Sequence, residues 1–371
     1  MRSFLLALVF LAGPAQAADH VAVRSVKIVG QSGQGEPVGA DDVKMPFVQM
    51  ANAKVAARIN DQLFIAQFGV MAPEMPGGAV DHIPLESIRT QDFSVALDSQ
   101  RVLTIAFDNE ECGAYCENYA SYYSFDTRNG HLITVDDLLT ASGLKVLAAR
   151  MKKESIAAYR KQLAQLRTEL KAAEKKGAAK AKVDIGDLND RIALNEDCLQ
   201  QASAPDEAAG AGPFGYYAIE LASDAFNIFR SRCSNHASRA LDDVDIVTLA
   251  IAYKDMRAYL RSYGKAVLLN EGDTMPANSP FGQLLRGNLG GSTAITMLLH
   301  KESDNSVGGV YFYDKHRTPI PVSGQLAGKE LELIEPDGKG GERAKIKLTN
   351  SGGHLTGHWI GKKEFPMELM P

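Results

Sequence analysis

The sequence predicts an α+β fold: an N-terminal mixed α/β-meander domain with a helical-hairpin insertion, followed by a small all-β domain, barrel or sandwich. Three observations predict it. Residues 18–145 read as short strands around one helical stretch. Residues 146–212 change to helical spacing, with Leu147, Met151, Ile156, Tyr159, Leu163, Leu166 and Leu170 on one face. From Gln283 to Leu369 about eight short apolar runs follow at close intervals, each bounded by Gly, Pro, Asn or Asp.

In chain order, 21–29 alternates as a strand, and 37–46 reads as a linker-like connection. Val48, Ala51, Val55, Ile59, Leu63 and Phe64 repeat near three and four, which predicts a helix over 47–68. Residues 92–97 and 101–108 are strands joined by Asp98-Ser99-Gln100, and 119–125 is a third. Asp126-Thr127-Arg128-Asn129-Gly130 is a hairpin turn, because Asn-Gly tolerates positive φ. Leu132 and Ile133 resume the strand. Thr134 ahead of Val135-Asp136-Asp137 suits a helix N-cap with acids in the first turn. Within 144–202, a break at 177–186 separates two helices with solvated, charged outer faces. Residues 203–212 form an Ala/Gly/Pro-rich loop. Strands over 216–221, 226–230 and 245–253 and a helix over 254–262 complete the first domain, 18–265. A linker over 266–282 leads to the meander of 283–371. Its strands centre on Leu285, Ile295, Val310, Val322, Leu331, Ile346, Leu355 and Met367.

The chain has 371 residues, 45% hydrophobic and 23% charged, which excludes a disordered or fibrous protein. A formal charge of −5 argues against a nucleic-acid partner. Arg2, the apolar run 4–11, Gly13-Pro14 and Ala15-Gln16-Ala17 form a secretory signal cleaved after Ala17. Its removal takes one of 40 basic residues, so 39 against 45 acids gives −6. No stretch is long and apolar enough for stable membrane insertion, so a soluble periplasmic protein is expected. Four cysteines in an oxidising compartment favour disulfides. Cys112 and Cys116 bracket a three-residue loop and pair locally, leaving Cys198 for Cys233. A four-cysteine zinc site lacks the repeated spacing it needs.

The motifs that suggest chemistry have simpler readings. His354 and His358 have a zinc-like spacing, but their segment alternates as a strand, which sets them roughly 13 Å apart. Ser142-Gly143-Leu144-Lys145 and Ser303-Asp304-Asn305 match two motifs of penicillin-binding enzymes without the third, and read as a helix start and a turn. Asp136-Asp137 and Asp242-Asp243-Val244-Asp245 lack calcium-loop spacing. No catalytic residue, metal ligand or cofactor is expected. The candidate binding residues are Asp108, Glu110, Glu111, Tyr115 and Glu117, which flank the Cys112–Cys116 loop.

The order of features resembles a known family. Arg58-Ile59-Asn60 in the first helix precedes Tyr123-Ser124-Phe125-Asp126-Thr127-Arg128-Asn129-Gly130-His131-Leu132-Ile133-Thr134-Val135-Asp136-Asp137-Leu138. This resembles the hairpin-to-helix segment of the exported RsiV-like and PdaC-like accessory domains, a family of unknown function. Phe125, Asp126, Gly130, Thr134, Asp137 and Leu138 stand at matching positions over a resemblance of residues 20–265, interrupted by the insertion. The resemblance implies an α+β domain that binds rather than catalyses. One member, an anti-sigma factor, binds lysozyme, and another carries the domain beside a polysaccharide deacetylase. The C-terminal meander, with Gly308-Gly309-Val310-Tyr311-Phe312-Tyr313 and Gly357-His358-Trp359, looks like a β-module of bacterial exported proteins. The expected function is non-enzymatic binding of a cell-envelope ligand, either a cell-wall glycan or a cationic protein such as lysozyme. The alternatives are a cell-wall hydrolase with two acids in one cleft, and a scaffold docking a partner through an exposed apolar stripe on 147–170.

Overall fold

The structure, a computed structural model, describes residues 21–31, 37–38, 42–74, 79–81, 83, 85, 87–113, 115–176, 184–204, 217–302 and 304–371. The signal and most of the loop expected over 203–212 lie outside these residues. Strands β1 (Ala22–Lys27) and β4 (Lys44–Gln49) pair antiparallel, and β2 (Gly30–Gln31) pairs with β3 (Pro37–Val38). The expected linker over 37–46 therefore contains strand, with Pro46 opposite Ser25. Helix α1 (Ala53–Phe68) starts six residues later than the spacing predicts, because Phe47 and Val48 belong to β4. Asn52 caps it by accepting from the Lys54 and Val55 amides at 3.2 and 3.4 Å. Gly69, at φ 68°, ends it with a left-handed turn.

Strands β5 (Ile88–Asp98), β6 (Val102–Cys112), β7 (Cys116–Asp126) and β8 (His131–Leu132) form an antiparallel meander. Helix α1 covers one face, packing Ile59, Leu63 and Phe64 against Leu103, Ile105, Phe107 and Phe125. A second core contains Val102 of β6 and the elements that follow the sheet. These are α2 (Val135–Leu138), the start of α3 (Ala141–Lys176), a sheet of β9 (Tyr217–Leu221), β10 (Ala225–Arg230) and β11 (Val247–Ala252), and α6 (Ser262–Leu268). The helix expected over 254–262 is instead a four-residue α5 (Tyr253–Met256), a turn, and α6.

The insertion is the expected helical hairpin, α3 with α4 (Ile185–Ser203). Its apolar stripe is covered. Leu147 and Met151 enter the second core, Tyr159 packs with Cys198, and Leu166 packs with Leu188. The scaffold reading needed this stripe exposed, so the packing removes its support.

Both expected disulfides form, Cys112–Cys116 across the β6–β7 turn and Cys198–Cys233 from α4 to the segment after β10. The second closes a span of 35 residues, the first a span of 4. Loop-closure entropy then makes loss of Cys198–Cys233 the costlier by about 2 kcal/mol. Paired Cys→Ala variants compared by urea unfolding should show that order, and equal losses would contradict it.

The C-terminal region is a closed antiparallel barrel of β12 (Leu284–Leu289), β13 (Thr293–Lys301), β14 (Ser306–Tyr313), β15 (Ile320–Ala327), β16 (Glu330–Pro336), β17 (Glu342–Ser351), β18 (His354–Ile360) and β19 (Glu364–Met370). All eight expected strands are present, and β12 pairs with β19 to close the ring. Alternation fills the interior with Leu285, Met297, Tyr311, Leu333, Ile346 and Leu355. Gly324 has no room for a side chain, since a Cβ would lie 1.9 Å from the Glu332 carbonyl oxygen.

Residues of the opposite phase seat the barrel on α1. Leu284 and Phe312 pack against Ile65 and Met71. Arg58 donates to the Leu284 carbonyl at 2.7 Å and Gln62 to the Gly282 carbonyl at 2.8 Å. The Gln283 amide both donates to and accepts from the Leu132 backbone, at 2.8 and 3.1 Å. This apolar patch and its ring of polar bonds place the barrel against α1 and the β8 hairpin.

Candidate functional site

The expected binding residues gather at the far end of the β6–β7 ribbon. The register runs Asp108 opposite Ala120, Glu110 opposite Asn118 and Glu111 opposite Glu117, and ends with Cys112 opposite Cys116. The Cys112 amide donates to the Ser87 carbonyl at 2.8 Å, so the tip is tied laterally to β5 as well as closed by the disulfide. Asp108 is exposed, Glu110, Glu111 and Glu117 are half-buried, and Tyr115 is 67% exposed at the turn. Two of the acids are engaged: Glu111 accepts from the Tyr119 hydroxyl, and Glu117 pairs with Arg232. Burial, then the Glu111 hydrogen bond, pushes the Tyr119 phenol above its ordinary range, so it remains a donor. Tyr122 stacks on Phe229 at 5.1 Å, which holds the middle of the ribbon against β10.

Glu110, Cys112 and Cys116 bring ligand-type atoms within 4.8 Å of one another. The two sulfurs are bonded to each other, and a disulfide supplies no thiolate for a metal. The other sequence candidates also have structural partners. His354 meets Glu368 at 3.0 Å and His358 meets Glu364 at 3.6 Å, so each imidazole on β18 faces a β19 carboxylate rather than a shared ion. Asp242 accepts from the Ser234, Val244 and Asp245 amides, and Asp243 pairs with Arg191. Thr140 caps α3 by accepting from the Gly143 amide at 3.0 Å, which places Ser142 in the first turn of the helix and Lys145 in the turn after it. Asp304 and Asn305 form the β13–β14 turn, with Asn305 at φ 64°, while Ser303 lies outside the described residues.

The resemblance segment proves to be a structural network. Asp126 is 0% exposed and accepts from Arg128 through Nε at 3.0 Å and Nη2 at 2.6 Å. The Arg128 amide and the Tyr263 hydroxyl complete its shell at 3.0 and 3.1 Å. Gly130, at φ 73°, closes the turn against Arg58. Thr134 and Asp137 form a reciprocal capping box, and Asp137 also meets His131 at 2.9 Å. Asn60 bonds both backbone groups of Val48, at 2.7 and 2.9 Å. These residues fix the hairpin, α2, β4 and α6 in place.

Three cavities bear on function. A 220 Å³ cavity at the barrel junction is lined by Asp61, Glu74, Arg286, Asp314 and Arg317. Here Asp61 accepts from Ala72 N–H at 3.1 Å and Arg286 at 2.7 Å, with Arg317 at 3.6 Å. Burial raises its carboxyl pKa despite the two arginines. A second, of 270 Å³, lies between the end of α1 and Glu111, next to the tip. A third, of 610 Å³, is an open hollow over β18 and β19. Sequence reasoning had no signal for any of them, because each joins residues distant in the chain.

No family model matches the chain, and no curated protein matches it. Among solved structures it is similar to the crystal structure of a DUF3298-family member from Bacteroides fragilis. The identity is 12% and the TM-score 0.37, over 68% of this chain and 98% of that one. The likeness is distant and bears on no RsiV- or PdaC-specific property.

Proposed function

We propose that the protein is an exported, non-catalytic binding protein of the cell envelope, and that the β6–β7 tip presents its surface to a cationic protein such as lysozyme. The supporting observation is the tip itself: a covalently closed turn that carries four carboxylates and an exposed tyrosine. A closed loop loses little freedom on binding. The net charge of −5 adds long-range attraction to a basic partner, and Tyr115 offers a ring face for a cation. A neutral glycan would gain hydrogen bonds from the acids but no long-range attraction.

The hydrolase alternative needs a free acid pair in a cleft. The junction cavity supplies Asp61 and Asp314, but both Asp61 oxygens are engaged, by a backbone amide and by guanidinium groups that span the two halves. With both oxygens so held, Asp61 has none left to aim at a substrate, which favours the binding reading.

A pull-down with lysozyme at low and high salt tests the proposal. Binding at low salt that fades at high salt is expected, and Asp108→Asn with Glu110→Gln should weaken it about tenfold, or about 1.4 kcal/mol. Absence of any salt-sensitive binding removes the proposal.

A further inference from the structure

We propose that the 270 Å³ cavity beside the tip takes one lysine or arginine side chain of the partner protein; the inference rests on the binding role assigned to the tip. Its walls come from the end of α1, from the segment entering β5 and from the end of β6. Phe68, Leu85 and Ile88 are buried apolar residues, while Gln67, Ser87 and Glu111 are polar. Leu85 is fully buried and Phe68 and Ile88 nearly so, so the reachable wall is mainly polar and suits the cationic head of a side chain. The volume falls below the roughly 300–1,000 Å³ of small-molecule sites, and suits a single side chain.

The charge has one sign. Among the described residues lining the cavity, Glu111 is the only formally charged one. The carbonyl end of α1 adds about half a negative charge, and no basic residue in its last turn offsets it. The Ile65 carbonyl is taken by the Gly69 amide, but no backbone amide of a described residue reaches the Ala66, Gln67 or Phe68 carbonyls. Tyr119 uses one Glu111 oxygen, and a carboxylate has a second. Gln67 spends its amide nitrogen on the Tyr123 hydroxyl at 3.0 Å and keeps its carbonyl oxygen as an acceptor. Among the described residues the cavity thus offers acceptors without a competing cation. The Cys112 amide on the Ser87 carbonyl joins it rigidly to the tip, so a partner touching Tyr115 brings side chains to its mouth.

The test is an NMR titration of the full chain with Nα-acetylarginine methylamide and with its neutral citrulline counterpart. Saturable shifts at the Ser87 and Glu111 amides are expected with arginine and not with citrulline. They should vanish in Ser87→Leu, which fills the cavity, and weaken at least tenfold in Glu111→Gln. Both variants must keep the wild-type spectrum elsewhere. No saturable shift, or equal shifts with both probes, overturns the inference. Lysozyme binding separates it from the reading beneath it. If lysozyme binds wild type and Ser87→Leu equally while Asp108→Asn with Glu110→Gln weakens it, the tip stands and the cavity falls. If arginine binds and lysozyme does not, the cavity stands and that partner falls.

Discussion

Arg128→Ala is expected to destabilise the N-terminal region by about 3–5 kcal/mol, because it leaves a buried carboxylate without its counter-charge. Asp126 has no exposed surface, and the Arg128 fork supplies two of its closest bonds, at 2.6 and 3.0 Å. Tyr263 and the Arg128 amide are the remaining donors and carry no formal charge. Arg128→Lys keeps the charge without the fork and should recover only part of the loss. Burial alone would raise the Asp126 carboxyl pKa; hydrogen bonds and charge from Arg128 outweigh it, so the net value lies below the ordinary one. A depressed carboxyl contributes its stability fully above the unfolded value of about 3.9, and loses it as pH falls through the folded value. Wild type should therefore resist acid further than Arg128→Ala. Urea unfolding followed by far-UV circular dichroism across pH 2–7 (on the order of one point per pH unit) measures both effects. A variant within about 1 kcal/mol of wild type would show that the pair does not hold the hairpin.

Glu335→Ala is expected to cost the barrel a comparable amount, about 3–5 kcal/mol. Glu335 is 1% exposed and accepts from the Tyr311 hydroxyl at 2.6 Å and the Trp359 indole at 2.9 Å, with Arg343 at 3.2 Å. Removing the acceptor leaves two donors unpaired, one of them on a fully buried tyrosine. Burial and Glu335 hold the Tyr311 phenol far above its ordinary range, so it stays a donor at any usable pH. Glu335→Gln keeps one acceptor oxygen and should lose less. The chain has a single tryptophan, and it lies in this network, so its fluorescence reports the barrel alone. A Glu335→Ala fluorescence transition coinciding with wild type would contradict the role assigned to this carboxylate.

Much of the fold was legible because most strands are buried on one face and alternate. The eight barrel strands and the β5–β7 ribbon read correctly for that reason. Strand β4 failed the same test for a physical reason: Met45, Pro46, Phe47 and Val48 are all buried, so the segment shows a continuous run that joins the helical spacing after it. Asn52 marks the true boundary by its side-chain cap. The turn between α5 and α6 escaped because long-range contact fixes it: the Arg261 amide bonds the Leu138 carbonyl, and Gly264 has no room for a Cβ beside that carbonyl.

The candidate site was partly legible. Cys112 and Cys116 mark a closed turn, and the acids around it follow from the sequence. The Glu117–Arg232 pair and the Tyr119–Glu111 bond do not, since they depend on register and on the segment after β10, more than a hundred residues away. The cavity beside the tip joins the end of α1 to the end of β6, and no local pattern announces it. Asp126, Thr134 and Asp137 stood out in the sequence, and the structure gives each a role in bracing rather than in binding.

The most direct measurement is hydrogen–deuterium exchange of the full chain with and without lysozyme at low salt. Slowed exchange confined to residues 108–119 and to the neighbouring end of α1 is the expected footprint. Protection elsewhere, on the barrel or the helical hairpin, with the tip unchanged would contradict the account.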